Sequence, residues 1–289
     1  GEHRGTRSEP VEPGDQVEGV RDRDEPEDGE ERPRDRVELD DADERPVDSR
    51  TAPPEPGREM RFIVGRDTRE SGEWIEQELA RGIRSEGAQL ASAGVIPTPA
   101  VAYVAREMDF DAGIVISASH NPFDDNGIKV FSGRGEKFTE ELERRVEAIV
   151  ADPSWWVNGA PLQPVGGADV ADAYLSHAML ALPDPHRLGA MRIADDTANG
   201  ATTMVASRLF RELGFDVLPL GMNPDGRNIN LGCGSTHPEL LAATVREKGC
   251  GLGVASAGDG DRAIFVDATG RIVDGDAVLL MCARQMKAE

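Results

Sequence analysis

The sequence GIVISASHNPFDDNGIKVF occupies residues 113–131 and gives the clearest indication of the fold. Its first five residues, 113–117, form an apolar run that is typical of a buried strand. Ser119, His120 and Asn121 follow at once, and the stretch then continues as a turn and a second strand. Parallel α/β sheets bind ligands beyond the carboxyl ends of their strands, so these polar residues indicate a ligand site.

An ordered series of strands, loops and helices surrounds this stretch and recurs later in the chain. Residues 60–65 (MRFIVG) and 191–200 (MRIADDTANG) each begin such a series, with helical and strand patterns after both. The repeat aligns GIVIS at 113–117 with GVASA at 253–257. We therefore predict an α/β fold of two repeated α/β/α units, each with a mainly parallel mixed sheet between helices.

The first 59 residues differ in composition from the rest of the chain. They contain 21 acidic residues, 10 Arg, 8 Pro and no Lys, and they lack Ile, Met, Phe, Trp, Tyr and Cys. Such a segment buries too little apolar surface to offset chain entropy, so we predict that it is disordered. An acidic interaction tail, a solvated tail and an out-of-frame translation all fit this composition. The predicted boundaries are an acidic segment at 1–59, a first α/β/α domain at 60–155, a linker at 156–170 and a second α/β/α domain at 171–289.

The net charge and the cysteine content indicate which partners and which cellular compartment fit this chain. A formal net charge of −22 at pH 7 disfavours binding to nucleic acid and to anionic membranes. No apolar run is long enough to span a bilayer, and the three cysteines, Cys233, Cys250 and Cys282, form no metal-binding or redox pair by spacing. We therefore predict a cytoplasmic protein that binds neither membrane nor nucleic acid. The sequence does not indicate an oligomeric state.

The loop GDGDR at 258–262 carries the second group of polar residues. Glycines allow a tight backbone turn in which Asp259 and Asp261 converge, and converging carboxylates favour a hard cation such as Mg²⁺. Arg262 adds a planar fork of donors that suits phosphate. The alternative interpretation is an acidic turn before a strand.

Ser119 lies at the matching strand end of the first unit, where it would face this loop across a cleft. The sequence around it lacks the G-x-S-x-G pattern of a serine hydrolase, so a hydroxyl that carries a phosphoryl group fits better. His120 and Lys129 would then transfer protons or bind phosphate. Arg66 and Arg69, on the loop after the first strand, would line the same cleft. Each of these four residues is alternatively an ordinary polar residue of the surface or core.

The motifs resemble those of the α-D-phosphohexomutases. The stretch 113–131 resembles that family's phosphoserine loop, and GRDTRESG, TANGA, GDGDR and VDGD occur in the order that the family shows. NINLGCGSTHPE at 228–239 is similar to the phosphoglucosamine mutase branch rather than the phosphomannomutase/phosphoglucomutase branch. The resemblance covers about residues 60–285.

This resemblance implies a mechanism and a set of site residues. A phosphorylated Ser119 would convert glucosamine 6-phosphate to glucosamine 1-phosphate through a bisphosphorylated sugar. The seryl phosphate, Asp259 and Asp261 would hold Mg²⁺. The catalytic set would be Ser119, His120, Lys129 and Arg262, and the substrate and phosphate ligands would be Arg66, Arg69 and Asn121.

The sequence also departs from the family pattern. The family's metal loop reads D-G-D-G-D-R, whereas this chain has Ala257 at the first position. The family's N-terminal G-T-D-G-I-R-G segment, with its first strand, and its third and fourth domains have no counterpart in the sequence. An impaired fragment, a non-catalytic remnant, another hexose-phosphate mutase specificity and, more remotely, a phosphatase therefore stay open as alternatives.

Overall fold

The computed structural model describes residues 57–152, 164–182, 184 and 190–288. Most of the predicted acidic segment and most of the predicted linker lie outside the described residues. No helix within the described ranges is long and apolar enough to cross a bilayer.

A five-stranded sheet forms the centre of the first unit. Its strands are β1 (Arg61–Arg66), β2 (Gln89–Val95), β3 (Ala112–Ile116), β4 (Ile128–Ser132) and β5 (Gly166–Gly167). Their order is β4-β3-β1-β2-β5, in which only β4 is antiparallel to its neighbour. The helices are α1 (Ser71–Ser85), α2 (Thr98–Glu107) and α3 (Glu140–Val150).

Both faces of this sheet are packed against helices. On one face, Val101 and Val104 of α2 pack with Ile63 of β1 and Val115 of β3. On the other face, Ala80 of α1 joins a cluster with side chains from β1, β2 and β3. Successive strand residues point to opposite faces, so a sheet buried on both sides needs nearly continuous apolar strands. The five residues of β3 are all buried, in agreement with this requirement.

The second unit repeats the plan. Its strands are β6 (Arg192–Asp196), β7 (Asp216–Leu220), β8 (Leu252–Ser256), β9 (Ala263–Asp267) and β10 (Ile272–Val273), in the order β10-β9-β8-β6-β7. Its helices are α4 (Ala171–Met179), a 3₁₀ turn (Ala201–Met204), α5 (Ala206–Glu212), α6 (Glu239–Lys248) and α7 (Gly275–Ala288). The series β9-β8-β6-β7 corresponds to β4-β3-β1-β2, which confirms the predicted repeat and fold class.

The repeat places β3 and β8 at equivalent positions, each beside an antiparallel strand. The loop after β3 carries Ser119, and the loop after β8 carries Asp259 and Asp261. Two loops of matching origin therefore lie at the carboxyl ends of two sheets.

An apolar groove lies between α1 and α3. Trp74, Val146 and Ile149, which the helical spacing places on the apolar sides of these helices, line it and are 63%, 42% and 50% exposed. The periodicity predicts both helices correctly, but no described residue of α3 is buried.

Candidate active site

Ser119 lies at the junction of the two units. Its Oγ donates a hydrogen bond to Asp259 Oδ1 at 2.8 Å and accepts one from Arg262 Nη2 at 2.5 Å. The residue is buried, and its backbone has a φ of 54°, in the left-handed region that non-glycine residues rarely occupy. The Ser119 amide donates to Ser117 Oγ at 2.9 Å, which helps to hold this turn. The crevice predicted from the sequence is therefore formed by these two loops.

Asp259 is the most heavily bonded carboxylate of the site. It is 1% exposed, and besides Ser119 it accepts hydrogen bonds from Lys129 Nζ at 2.5 Å and Thr98 Oγ1 at 3.2 Å. Burial by itself would raise the pKa of Asp259, but the hydrogen bonds from Lys129 and Ser119 outweigh it and hold the pKa below its usual value. The carboxylate is therefore ionised and directed at the Ser119 hydroxyl.

Lys129 connects the two acidic residues of the loop. Its ammonium group lies 2.5 Å from Asp259 Oδ2 and 3.3 Å from Asp261 Oδ2. Both carboxylates thus converge on one cationic atom. Lys129 reaches them from β4 in the first unit, so the contact also joins the two units.

Arg262 lies on the more open side of Ser119. Its Nη2 is 3.1 Å from His120 Nδ1, and its Nε donates to Asp261 Oδ1 at 3.1 Å. A guanidinium cannot accept a hydrogen bond, so His120 Nδ1 acts as the acceptor and the second ring nitrogen stays available as a donor. The structure therefore brings together all six residues predicted as catalytic or metal-binding: Ser119, His120, Lys129, Asp259, Asp261 and Arg262.

The three predicted substrate ligands are placed differently. Arg69 has no exposed side-chain surface, and its guanidinium is hydrogen-bonded to protein atoms. Arg66 forms ion pairs with Glu73 and Glu76 of α1. The Asn121 side chain donates to Asp125 Oδ2 at 2.9 Å. None of the contacts described for these three side chains reaches the Asp259 loop, so their substrate role stays a prediction without geometric support.

Two residues that contact the site, Thr98 and Asn230, are not predicted by the sequence analysis. Thr98 opens α2 directly after β2, and its amide and hydroxyl both bind Asp259. Asn230 lies in NINLGCGS, which marks a family branch but has no predicted role, and its Nδ2 donates to Ser119 O at 2.9 Å. The rule that ligand sites form at strand carboxyl ends could have found Thr98.

Comparison with known proteins agrees with this geometry. The phosphoglucomutase/phosphomannomutase α/β/α domain I matches residues 50–155, and domain II of the same family matches residues 172–270. This chain belongs to the phosphoglucomutase/phosphomannomutase family. The resemblance to the phosphohexomutases is therefore confirmed, and the family consists of isomerases.

Relatives within the phosphoglucomutase/phosphomannomutase family support a closer grouping. A phosphoglucosamine mutase from Pelotomaculum thermopropionicum is 46% identical over 233 residues, covering 78% of this chain and 51% of that protein. One from Pseudomonas putida is 46% identical over 228 residues, with the same coverage. A solved family structure from Burkholderia thailandensis is 27% identical with a TM-score of 0.66, covering 79% of this chain and 51% of that one. The chain spans about half the length of these relatives.

The donor atoms around Ser119 are suitable for the Mg²⁺ ion that the family resemblance implies. Mg²⁺ is usually bound by one or two carboxylates together with phosphate oxygens and waters. Asp259 and Asp261 already approach a single cation, the Lys129 ammonium, and Ser119 Oγ lies beside Asp259. Among the described residues, however, no group of three or more acidic, His or Cys side chains could hold a metal, and Ala257 is buried where the family pattern has a third carboxylate. The set fits Mg²⁺ with two carboxylates.

Proposed function

We propose that this chain supplies the first two domains of a phosphoglucosamine mutase, which interconverts glucosamine 6-phosphate and glucosamine 1-phosphate. The phosphoserine domain is proposed at 60–155, the linker at 156–170 and the metal-loop domain at 171–289. Within that linker, β5 pairs with β2 and so adds an edge strand to the first sheet. The observation that carries the proposal is the pair of hydrogen bonds that Ser119 Oγ makes to Asp259 and Arg262. The 46% identity to proteins of that name supports the choice of substrate.

The proposed reaction uses Ser119 first as a phosphoryl donor and then as an acceptor. The C1 hydroxyl oxygen of glucosamine 6-phosphate attacks the phosphorus on Ser119; its O–P bond forms as the Oγ–P bond breaks. The hydroxyl proton passes to a base, and Ser119 Oγ takes up a proton. After the bisphosphorylated sugar reorients, Ser119 Oγ attacks the phosphorus at O6, and its Oγ–P bond forms as the P–O6 bond breaks. The Ser119 hydroxyl proton passes to a base and O6 takes up a proton, which restores the phosphoserine and releases glucosamine 1-phosphate.

The remaining side chains are placed to stabilise charge during this exchange. Arg262 already donates to Ser119 Oγ, so its guanidinium would bind a phosphoryl oxygen at the same position. Lys129 and His120 are the proposed proton-transfer groups. Asp259 and Asp261 would hold Mg²⁺, which, when bound, neutralises charge on the transferring phosphoryl group.

Phosphate uptake tests this proposal directly. The chain is incubated with glucosamine 1,6-bisphosphate and Mg²⁺, and its intact mass is followed with time. We expect the addition of one phosphoryl group, which Ser119→Ala abolishes. Ser132→Ala, at the end of β4, is the matched control and should keep the uptake. Equal labelling of Ser119→Ala and the unaltered chain would contradict the phosphoserine.

A non-catalytic chain that binds phosphate weakly is the second candidate. Ala257 favours it, because the metal loop then lacks a carboxylate that the family pattern includes. The same mass measurement separates the two candidates: a non-catalytic chain takes up no phosphoryl group, although its fold is intact by circular dichroism. The mass measurement has one further outcome. Uptake from glucose or mannose 1,6-bisphosphate but not from glucosamine 1,6-bisphosphate would indicate another mutase specificity. The cytoplasmic location stays a prediction.

A further inference from the structure

Two backbone carbonyl oxygens of the Ser119 loop accept hydrogen bonds from side chains of both units, a set of contacts that we call the grip. Asn230 Nδ2, from the second unit, donates to Ser119 O at 2.9 Å and to Asn121 O at 3.0 Å. Arg69 Nη2, from the first unit, donates to the same two oxygens at 3.3 Å and 2.6 Å. The loop that carries the nucleophile is therefore fixed by four hydrogen bonds to its backbone.

Both donors are held rigidly. Arg69 is buried and ion-paired with Asp67, and its Nη1 also lies 3.4 Å from Ser117 Oγ. Asn230 is 7% exposed, and its own amide donates to Ala198 O at 2.9 Å. Its φ of 59° is a left-handed conformation that asparagine tolerates better than most residues. Both side chains donate hydrogen bonds to the Ser119 loop.

The backbone of the loop at 257–262, which we call the metal loop, also packs against the Ser119 loop. A Cβ atom on Gly258 would lie 2.6 Å from Ser119 O and 2.9 Å from Asn230 Nδ2. Only glycine allows this approach, so the metal loop packs directly against the gripped carbonyl. The second unit therefore contacts the nucleophile loop through Asn230 as well as through Asp259.

The conformation of Ser119 explains why such a grip is needed. A non-glycine residue in the left-handed region is strained by about 1–3 kcal/mol and persists only where its surroundings over-determine it. Ser119 has a φ of 54°, and its Oγ must point at Asp259. Without the grip the loop would relax, and Oγ would lose its direction.

We propose that Asn230, acting with Arg69, is a positioning residue that holds the Ser119 loop in its reactive geometry. The contacts stand independently of any activity, and only the kinetic consequence rests on the proposed function. Asn230 touches neither Oγ nor the carboxylates in the described contacts, so it acts through the backbone of the loop. Its loss should slow phosphoryl transfer without weakening the binding of the sugar bisphosphate.

Hydrogen exchange tests the grip without any catalytic activity. Asn230→Asp has the same size but replaces the shared donor with an oxygen that repels the two carbonyls. We expect the amides of residues 117–121 to exchange at least about tenfold faster in Asn230→Asp. Asn223→Asp, an identical change at an exposed position of the same loop, is the control and should exchange as the unaltered chain does. Identical exchange in both variants would overturn the proposal.

The rate of phosphate uptake by Ser119 supplies the second readout. A nucleophile misplaced by about 1 Å loses about 100-fold in rate, so Asn230→Asp should slow uptake about 10–100-fold while the half-saturating bisphosphate concentration stays within about twofold. A rise in that concentration with an unchanged rate would instead make Asn230 a binding residue. If the unaltered chain takes up no phosphate, the proposed function fails. Hydrogen exchange still tests whether Asn230 holds the Ser119 loop. Should Asn230→Asp lose its cooperative melting transition, Asn230→Ala is measured in its place.

Discussion

Ser119 and Asp259 are 140 positions apart in the sequence, and their side chains are joined by a hydrogen bond of 2.8 Å. Each residue follows a strand, β3 or β8, that occupies the same place in its sheet. The bond therefore exists only while the two units are docked. Any chemistry at Ser119 depends on that docking as much as on the hydroxyl itself.

Asp259→Asn should impair phosphate uptake at Ser119. The substitution removes the negative charge that accepts hydrogen bonds from Ser119, Lys129 and Thr98, and it weakens a proposed Mg²⁺ ligand, so uptake should slow by at least about 10–100-fold. A mass time course with glucosamine 1,6-bisphosphate measures it. Asp276→Asn, at an exposed position early in α7, serves as the matched control. Uptake at the unaltered rate in Asp259→Asn would remove this carboxylate from the site.

The same carboxylate should contribute to acid sensitivity. The folded-state pKa of Asp259 is held below its usual value, so its contribution to stability is present above the unfolded pKa of about 3.8 and is lost as the pH falls through the folded pKa. Chemical denaturation between pH 2.5 and 6 should therefore show a shallower acid loss in Asp259→Asn. Equal slopes in both proteins would contradict the assignment.

Gly258→Ala should loosen the junction between the units. The added methyl group would lie 2.6 Å from Ser119 O, and overpacking of this kind typically lowers the free energy of unfolding by about 1–3 kcal/mol. Gly82→Ala is the control, because Gly82 lies inside α1 with nothing within 4 Å of the new methyl group and should stabilise the helix. Thermal melting of the two variants should shift in opposite directions.

The position of the site could be predicted because strand periodicity and the repeat determine where chain segments end. Aligning 113–117 with 253–257 was enough to place Ser119 opposite Asp259, since equivalent strands end at equivalent edges. Strand periodicity and the repeat do not determine where a side chain in a loop points. Arg69 follows a strand as a ligand residue would, yet its guanidinium turns inward to the carbonyls of the Ser119 loop.

Long-range polar contacts escaped prediction for a related reason. Asn230 lies in an irregular loop with no periodicity, so nothing in its sequence context indicates a contact 111 positions away. Helical spacing likewise predicted α1 correctly but could not show that Trp74 would stay 63% exposed. A pattern reports the face on which a side chain lies and does not report what covers that face.

Asp195 should make the protein less stable as the pH rises from about 4 to about 6. Its side chain is fully buried, Ser207 Oγ donates to Oδ2 at 2.7 Å, and Oδ1 has no hydrogen-bond partner among the described residues. Burial raises the pKa of Asp195 to about 6, so its contribution to stability is fully present below the unfolded pKa of about 3.8 and is lost as the pH rises through about 6. A shift of about two pKa units corresponds to about 3 kcal/mol.

Asp195→Asn removes this ionisation while keeping an acceptor for Ser207. We expect the variant to lose the decline between pH 4 and pH 6 and to unfold at a higher urea concentration at pH 8. Asp276→Asn again provides the matched change at an exposed position. A decline of the same depth in Asp195→Asn would assign it to another group.

Ala257→Asp should give the proposed metal loop (257–262) the third carboxylate of the family pattern and couple folding to Mg²⁺. Ala257 is 1% exposed, and its backbone is fixed by bonds to Arg262 O and from the Gly260 amide, so a new carboxylate would be buried near Asp259 and Asp261. Without a cation these charges repel one another, and the melting temperature should fall. Calorimetry should show Mg²⁺ bound at least about tenfold more tightly than by the unaltered chain, with the melting temperature recovered on addition of Mg²⁺. Ala257→Asn, equal in size but uncharged, should gain neither effect, and equal Mg²⁺ affinity in all three proteins would show that position 257 does not reach the metal.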